Sequence, residues 1–137
     1  LRYRLERALI AGDMKVDDIP GAWNDAMGEL LHITPPDDAD GCLQDIHWFD
    51  GTFGYFPTYT LGALAAAQLF DAAQKTNPGI LQAISQGEFA PLVGWMGERV
   101  HSRASSASTH DLVADATGAP LGIDAFRRHL TARYLSD

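Results

Sequence analysis

Cysteine and basic residues are scarce in this sequence. Its 137 residues include one cysteine, Cys42, so no disulfide can form within the chain, and we expect a reducing, cytoplasmic environment. Ten Lys and Arg residues stand against eighteen Asp and Glu residues, which gives a net charge of −8. A protein that binds nucleic acid needs a face rich in Lys and Arg to contact phosphates. The charge balance therefore argues against nucleic acid as a partner.

Long hydrophobic runs are also missing. The longest candidate, LGALAAAQLF, is well short of the roughly 18 apolar residues that cross a bilayer, so we expect no membrane as a partner. Hydrophobic residues nevertheless make up 46% of the chain, which is ordinary for a globular protein. The composition therefore predicts a folded core rather than a disordered segment.

Alternating strand patterns are absent as well, and helical patterns take their place. Trp23, Met27, Leu30 and Leu31 recur at the spacing of one helix face. The main helix is predicted from about Pro57 to Lys75, ended by an Asn-Pro pair. Further helical patterns follow in PLVGWMGERVH, DLVADA and AFRRHLTARYL. We predict an all-α fold, a helical bundle.

The segment GCLQDIHW carries the first candidate functional residues. If Gln44 to Trp48 were helical, Gln44 and Trp48 would share a face, whereas Asp45 and His47 would not. On that interpretation Asp45 does not orient the His47 imidazole. The structural alternative is that Asp45 caps a helix and that His47 is an ordinary buried histidine.

Two tyrosines form the second candidate group. Tyr55 and Tyr59 flank Pro57, which places both phenols near the predicted start of the main helix, where backbone N–H groups are free. A phenol can donate a hydrogen bond to a developing oxyanion, and His47 lies nearby in sequence. The alternative is an aromatic packing cluster with its hydroxyls at the surface.

The sequence gives little support for a metal site or for a catalytic nucleophile. No histidine pair has the i, i+4 spacing of a helical zinc site, and no HExxH occurs, so we expect no complete zinc site within this chain. Cys42 has no basic neighbour in the sequence that would lower its pKa, which favours a structural thiol. The five histidines are His32, His47, His101, His110 and His129.

Taken together, these segments resemble the carboxypeptidase Taq family of zinc metallopeptidases. GCLQDIHW matches the family signature G-x-x-Q-D-x-H-W at Gly41, Gln44, Asp45, His47 and Trp48. FGYFPTYTLG resembles the stretch that follows this signature, and LRYRLERALIAGD and DDIPGAWNDAMGELL resemble the preceding family helices. The resemblance covers nearly the whole chain and is densest over residues 41–70. Two departures are Phe49, where the family usually has a small residue, and Ala63, where Asn is common.

The resemblance implies a fold and an activity. Residues 1–137 are expected to be the C-terminal region of a metallocarboxypeptidase catalytic domain, part of a larger and mainly helical zinc peptidase. The HExxH-bearing part is absent from these residues. In the intact enzyme, a zinc-activated water would release single C-terminal amino acids from peptide substrates. Zinc, with cobalt or another divalent metal as alternatives, would be bound by upstream residues, and the full-length protein is expected to be a homodimer.

The same resemblance suggests roles for individual residues. His47, with Tyr55 or Tyr59, is expected to steady the oxyanion of the reaction. Gln44, Asp45 and Trp48 are expected to contact the substrate or to orient the site. The arginine that binds the substrate carboxylate stays open between Arg2, Arg4 and a residue elsewhere. The alternative to an enzyme is a non-catalytic helical dimerisation or interaction module, which the chain would resemble if taken alone.

Overall fold

A computed structural model describes residues 1–135, and every regular element within that range is helical. The all-α prediction is therefore confirmed. None of the described helices is both long and apolar enough to cross a membrane. The α-helices are α1 (Arg2–Ala11), α2 (Ile19–Leu31), α3 (Ile46–Phe49), α4 (Pro57–Thr76), α5 (Ile80–Ser85), α6 (Ala90–Arg99), α7 (Thr109–Thr117) and α8 (Asp124–Tyr134), with 3-10 turns at Val16–Asp18, Cys42–Gln44 and His101–Arg103.

Local sequence signals account for the helix ends. Gly12 has a φ of 78° and ends α1, because this left-handed conformation costs glycine little. Pro20 lies in the first turn of α2, where its missing N–H would have no helical partner. The side chain of Ser108 accepts a hydrogen bond from the backbone N–H of Asp111 and caps α7. The main helix α4 ends at Thr76, just before Asn77 and Pro78, as predicted.

The chain folds as two compact units, one from Leu1 to Thr60 and one that begins at Leu61. The core of the first unit is built by Leu5, Trp23 and Cys42, all at least 93% buried. Partly buried apolar side chains from α2, α3 and the segments that flank α1 complete it, namely Leu1, Met14, Ile19, Ala22, Met27 and Trp48. Of the predicted α2 stripe, Leu30 and Leu31 are exposed.

The core of the second unit lies around Ala73, Ile80 and Trp95, from α4, α5 and α6. Ala73 and Ile80 have no exposed surface. The small side chain of Ala73 leaves room for neighbouring helices to approach α4 closely. On α8, Phe126, Leu130 and Tyr134 have the spacing of one helix face, and Leu130 and Tyr134 are exposed.

A buried glutamine joins α4 to the segment between α7 and α8 within the second unit. Gln68 Nε2 donates to Thr117 Oγ1 at 2.9 Å and to the carbonyls of Ala119 and Pro120 at 3.0 Å. Its Oε1 accepts from the backbone N–H of Gly122 at 2.9 Å. One side chain therefore satisfies three backbone polar groups of a loop that has no regular structure of its own.

Replacing Gln68 with Ala should destabilise this unit. The substitution removes every bond from the side chain to the loop and leaves partly buried peptide groups without partners, which costs about 1–2 kcal/mol in free energy of unfolding. Urea denaturation followed by tryptophan fluorescence measures the change. The control is Gln82→Ala, an exposed glutamine on α5, which should change the free energy of unfolding by less than about 0.5 kcal/mol. Equal effects from the two substitutions would contradict the role given to Gln68.

Candidate active site

Asp45 interrupts the helix that was predicted across its segment. Cys42–Gln44 forms a 3-10 turn, Asp45 is extended with φ −87° and ψ 95°, and α3 begins at Ile46. The Asp45 Oδ1 accepts a hydrogen bond from the backbone N–H of His47 at 2.9 Å. Asp45 is therefore the N-cap of α3, because a short side-chain acceptor at that position satisfies a free backbone donor.

The same capping geometry brings Asp45 to the imidazole of His47. Asp45 Oδ1 lies 3.0 Å from His47 Nδ1. The inference that these two side chains face different partners was wrong, because it assumed that both residues lie within one continuous helical turn. An ionised carboxylate can only accept, so Nδ1 is the donor and carries a proton. Asp45 thus orients the His47 ring.

Arg2, on α1, holds the other oxygen of Asp45. Its Nε donates to Asp45 Oδ2, and the guanidinium lies 4.1 Å from the centre of the Phe56 ring and 4.8 Å from that of the Trp23 ring. Burial by itself raises the pKa of the Asp45 carboxyl, but the hydrogen bonds from Arg2 and His47 and the Arg2 charge outweigh it and hold that pKa below its ordinary value. Asp45 is therefore a buried, ionised carboxylate.

The structure brings His47, Tyr55 and Tyr59 together, as the sequence predicts. His47 Nε2 lies 3.3 Å from the Tyr59 hydroxyl. The Tyr55 ring stacks on the imidazole with 5.4 Å between ring centres, and the Tyr59 ring lies edge-on to it at 5.8 Å. Tyr55 is 48% exposed and Tyr59 55% exposed. Within the first unit these polar groups lie at an open surface rather than inside the core.

The loop between α3 and α4 is shaped so that it can carry this cluster. The backbone N–H and the hydroxyl of Thr52 both donate to the carbonyl of His47 at 2.8 Å, which closes the chain behind α3. The Phe56 ring packs edge-on against the imidazole with 5.3 Å between centres. Pro57 then begins α4 and places Tyr59 in its first turn.

The other predicted site residues, Gln44 and Trp48, have hydrogen-bond partners outside the cluster of His47, Tyr55 and Tyr59. Gln44 is exposed, and its side-chain amide donates to the carbonyl of Ala39. Trp48 is partly buried and packs edge-on against Trp23 with 5.9 Å between ring centres. Its indole N–H donates to Glu6 Oε1 at 2.9 Å. Only Asp45 of the predicted substrate-binding residues contacts His47.

Sequence analysis missed the part that α1 plays. Arg2 was considered only as one of the arginines that could bind the substrate carboxylate, and Glu6 was not considered at all. The two are four residues apart, a spacing that suggests a simple intrahelical ion pair. In the structure Arg2 binds Asp45, whereas Glu6 binds Trp48, so one face of α1 holds the signature segment at two points. Arg4 is exposed and lies 3.9 Å from Glu29.

Comparison with known proteins identifies the family. The family model described as "Carboxypeptidase Taq (M32) metallopeptidase" matches residues 1–134. The chain belongs to this family. It is 38% identical to the thermostable carboxypeptidase 1 of Pyrococcus furiosus over 135 residues, which are 98% of this chain and 27% of the relative. Carboxypeptidase 1 of Bacillus subtilis is also 38% identical, with the same coverage.

Solved structures agree with this assignment. Metallocarboxypeptidase 1 of Trypanosoma cruzi superposes with a TM-score of 0.94 at 37% identity, over 98% of this chain and 29% of that one. The M32 carboxypeptidase of Deinococcus radiodurans gives a TM-score of 0.93 at 35% identity, over 97% of this chain and 27% of that one. The chain thus spans about 27% of the length of the curated carboxypeptidase Taq relatives.

A metal, which the family name implies, does not fit the described residues of this carboxypeptidase Taq chain. No group of three or more His, Cys, Asp or Glu side chains in residues 1–135 is placed to hold a metal ion. Asp45 and His47 are the nearest pair, but Asp45 is engaged by Arg2 and His47 Nδ1 is engaged by Asp45. Cys42 is buried, and burial together with the nearby Asp38 raises the pKa of its thiol, which does not suit a thiolate ligand.

The ionised state of Asp45 gives a pH-dependent stability. Its pKa is lower in the folded chain than the ordinary value of 3.8, so its contribution is complete above that value and is lost as the pH falls through the folded pKa. We expect Asp45→Asn to lower the urea midpoint at pH 7, where Arg2 loses its partner, and the difference from wild type to shrink as the pH falls below 3.8 and through the folded pKa.

The matched control for this comparison is Asp25→Asn, an exposed aspartate on α2. It should lower the urea midpoint little at pH 7. A difference between wild type and Asp45→Asn that stays constant from pH 7 to the acid limit would show that the Asp45 charge does not stabilise the fold.

Proposed function

We propose that the longer protein that contains this chain is a metallocarboxypeptidase, which releases single C-terminal amino acids from peptides. We propose further that this chain supplies hydrogen-bond donors to the carbonyl oxygen of the peptide bond that is cleaved. Family membership supports the activity, since the relatives are carboxypeptidases by name. The observation that carries the residue assignment is the convergence of His47, Tyr55 and Tyr59 at an open surface.

The three groups suit an oxygen that gains negative charge: the two phenols carry a proton to donate, and His47 donates from Nε2 when its ring carries a proton on both nitrogens. When water adds to a peptide carbonyl, the oxygen becomes an oxyanion, and donors that are already in place stabilise it without reorganising. The Tyr59 hydroxyl lies 3.3 Å from His47 Nε2, a long hydrogen bond that can be exchanged for one to a substrate oxygen. The ring centres of Tyr55 and Tyr59 lie 5.7 Å apart, so the two phenols are neighbours at this surface.

The other predicted residues fit different roles in this proposal. Asp45 is 1% exposed and is better suited to orienting His47 than to touching a substrate. Trp48 is held by Glu6 and by the Trp23 ring, which suits a support for the signature segment. Gln44 is exposed and keeps its proposed role in substrate binding.

We propose zinc as the metal, with cobalt or another divalent ion as alternatives, bound by residues of the longer protein outside this chain. Residues 1–137 are proposed to be the C-terminal region of the catalytic domain. Assembly as a homodimer and a cytoplasmic location are predictions that follow from the family resemblance and from the single cysteine.

A second candidate is a non-catalytic helical interaction module. It is favoured by one observation, an apolar groove of about 680 Å³ beside the signature segment. Leu43 and Phe49 line this groove and are 54% and 70% exposed, and the groove lies within the first unit. A longer protein that releases no amino acid from any peptide with metal supplied would favour this candidate.

Removing one donor should reduce turnover sharply. In the longer protein, His47→Ala or Tyr59→Phe is expected to lower kcat by about 10²–10³, the usual cost of losing one oxyanion donor. Release of the C-terminal residue from a blocked dipeptide measures kcat, and metal analysis should show unchanged metal content.

The matched control for the tyrosine is Tyr134→Phe, which removes an exposed phenol on α8. Its kcat should equal that of wild type. Wild-type turnover in both His47→Ala and Tyr59→Phe would end the assignment of these residues, whereas full loss of metal would indicate a structural effect.

The isolated 137-residue chain should neither bind zinc stoichiometrically nor cleave peptides. The reason is that no metal-binding group of side chains exists among residues 1–135. Equilibrium dialysis followed by elemental analysis measures bound zinc, and the blocked dipeptide assay measures activity. Tight binding of one zinc ion per chain would contradict the proposal that the ligands lie elsewhere in the longer protein.

A further inference from the structure

We infer that Arg2 is a positioning residue of the proposed site. Its guanidinium keeps Asp45 an acceptor, so that His47 retains a proton on Nδ1 and exchanges protons only at Nε2, the nitrogen beside Tyr59. The value of that Nε2 to catalysis rests on the proposed function. The geometry that fixes the ring does not, and the two can be tested separately.

Both oxygens of the Asp45 carboxylate accept hydrogen bonds. The Asp45 side chain has no exposed surface. Its Oδ1 accepts from the backbone N–H and the Nδ1–H of His47, at 2.9 and 3.0 Å, and its Oδ2 accepts from Arg2 Nε. Each oxygen therefore already faces a donor. These three donors suit a carboxylate that carries no proton of its own.

Without Arg2, Asp45 would not stay ionised. A buried carboxylate without a cation tends to take up a proton, because burial disfavours the charged form. A protonated Asp45 could donate to His47 Nδ1, and the neutral ring would then carry its proton on Nε2 instead. The Arg2 charge offsets the cost of burial, and it thereby decides which ring nitrogen is protonated.

The Arg2 guanidinium is held in a fixed position. Arg2 begins α1, and its guanidinium lies over two aromatic rings, those of Phe56 and Trp23. Its side chain is 24% exposed, far less than that of Arg4 on the same helix at 65%. A planar guanidinium can stack on rings and donate sideways from Nε at the same time, which an ammonium group cannot do.

The proton on Nδ1 determines what the other ring nitrogen of His47, Nε2, can do. With Nδ1 protonated, a neutral His47 presents a lone pair at Nε2, and the Tyr59 hydroxyl, 3.3 Å away, donates to it. A second proton can be added only at Nε2, and Nε2–H then becomes a donor to an oxygen at that place. The titratable groups that contact the ring within the first unit are Asp45, Tyr55 and Tyr59.

The test uses the longer protein with ¹⁵N-labelled histidine. The ¹⁵N shifts of the two ring nitrogens distinguish a protonated from an unprotonated atom, and a His47→Gln spectrum identifies the His47 signals. In wild type with a neutral ring, Nδ1 should be protonated and Nε2 not. In Arg2→Met, which removes the charge but keeps an apolar side chain, the Nε2-protonated form should appear. For that variant kcat should fall by about 10–100-fold, the usual effect of losing a residue that orients a functional histidine, with KM little changed.

Two further variants make the result decisive. Arg7→Met removes an exposed arginine of the same helix and should leave the spectrum and kcat unchanged. Arg2→Gln also removes the charge and should likewise shift the proton to Nε2; it decides the matter if Arg2→Met fails to fold.

Retention of the Nδ1 proton in Arg2→Met, or in Arg2→Gln where Arg2→Met does not fold, would overturn the inference, as would a kcat for Arg2→Met equal to that of Arg7→Met. A wild-type protein without carboxypeptidase activity would refute the proposed function, yet a moved proton in Arg2→Met would still support the positioning role of Arg2.

Discussion

The arrangement of the first unit depends on one buried carboxylate. Asp45 receives Arg2 from α1 and His47 from α3, and through His47 it sets the position of Tyr59 at the start of α4. Taking one partner from a buried ion pair leaves an uncompensated charge, which costs more than the pair contributes when intact. The positions of Arg2 and His47 around Asp45 are therefore strongly specified. The exposed phenols are held in place through their contacts with His47.

The aromatic run before α4 serves both packing and chemistry. The Phe56 ring contacts both the Arg2 guanidinium and the imidazole, while Phe53 stacks on Trp48 with 6.1 Å between ring centres. The Asp45 side chain has no exposed surface, whereas the two phenols lie at the surface. This division explains why so many aromatic residues with polar tips occur together in a short segment.

Periodicity and helix-end signals were sufficient to predict the helices, because these are local properties. Pro57 begins α4 and the Asn-Pro pair ends it, and Gly12 ends α1. The same method failed over the signature segment. A continuous helix was assumed there, whereas the Asp45 side chain satisfies the backbone N–H of His47 and turns the chain. Such local competition between side chain and backbone is weakly visible in a pattern of apolar residues.

By itself the sequence determined the all-helical class, most helix ends and the convergence of His47, Tyr55 and Tyr59, since those residues lie within a short span. The tertiary structure alone decided what α1 does. Arg2 is 43 residues from Asp45 and Glu6 is 42 residues from Trp48, and each could equally have remained an exposed charge on the helix surface. No periodicity records such a pairing, because it arises only when separate segments pack and burial makes an unpaired charge too costly.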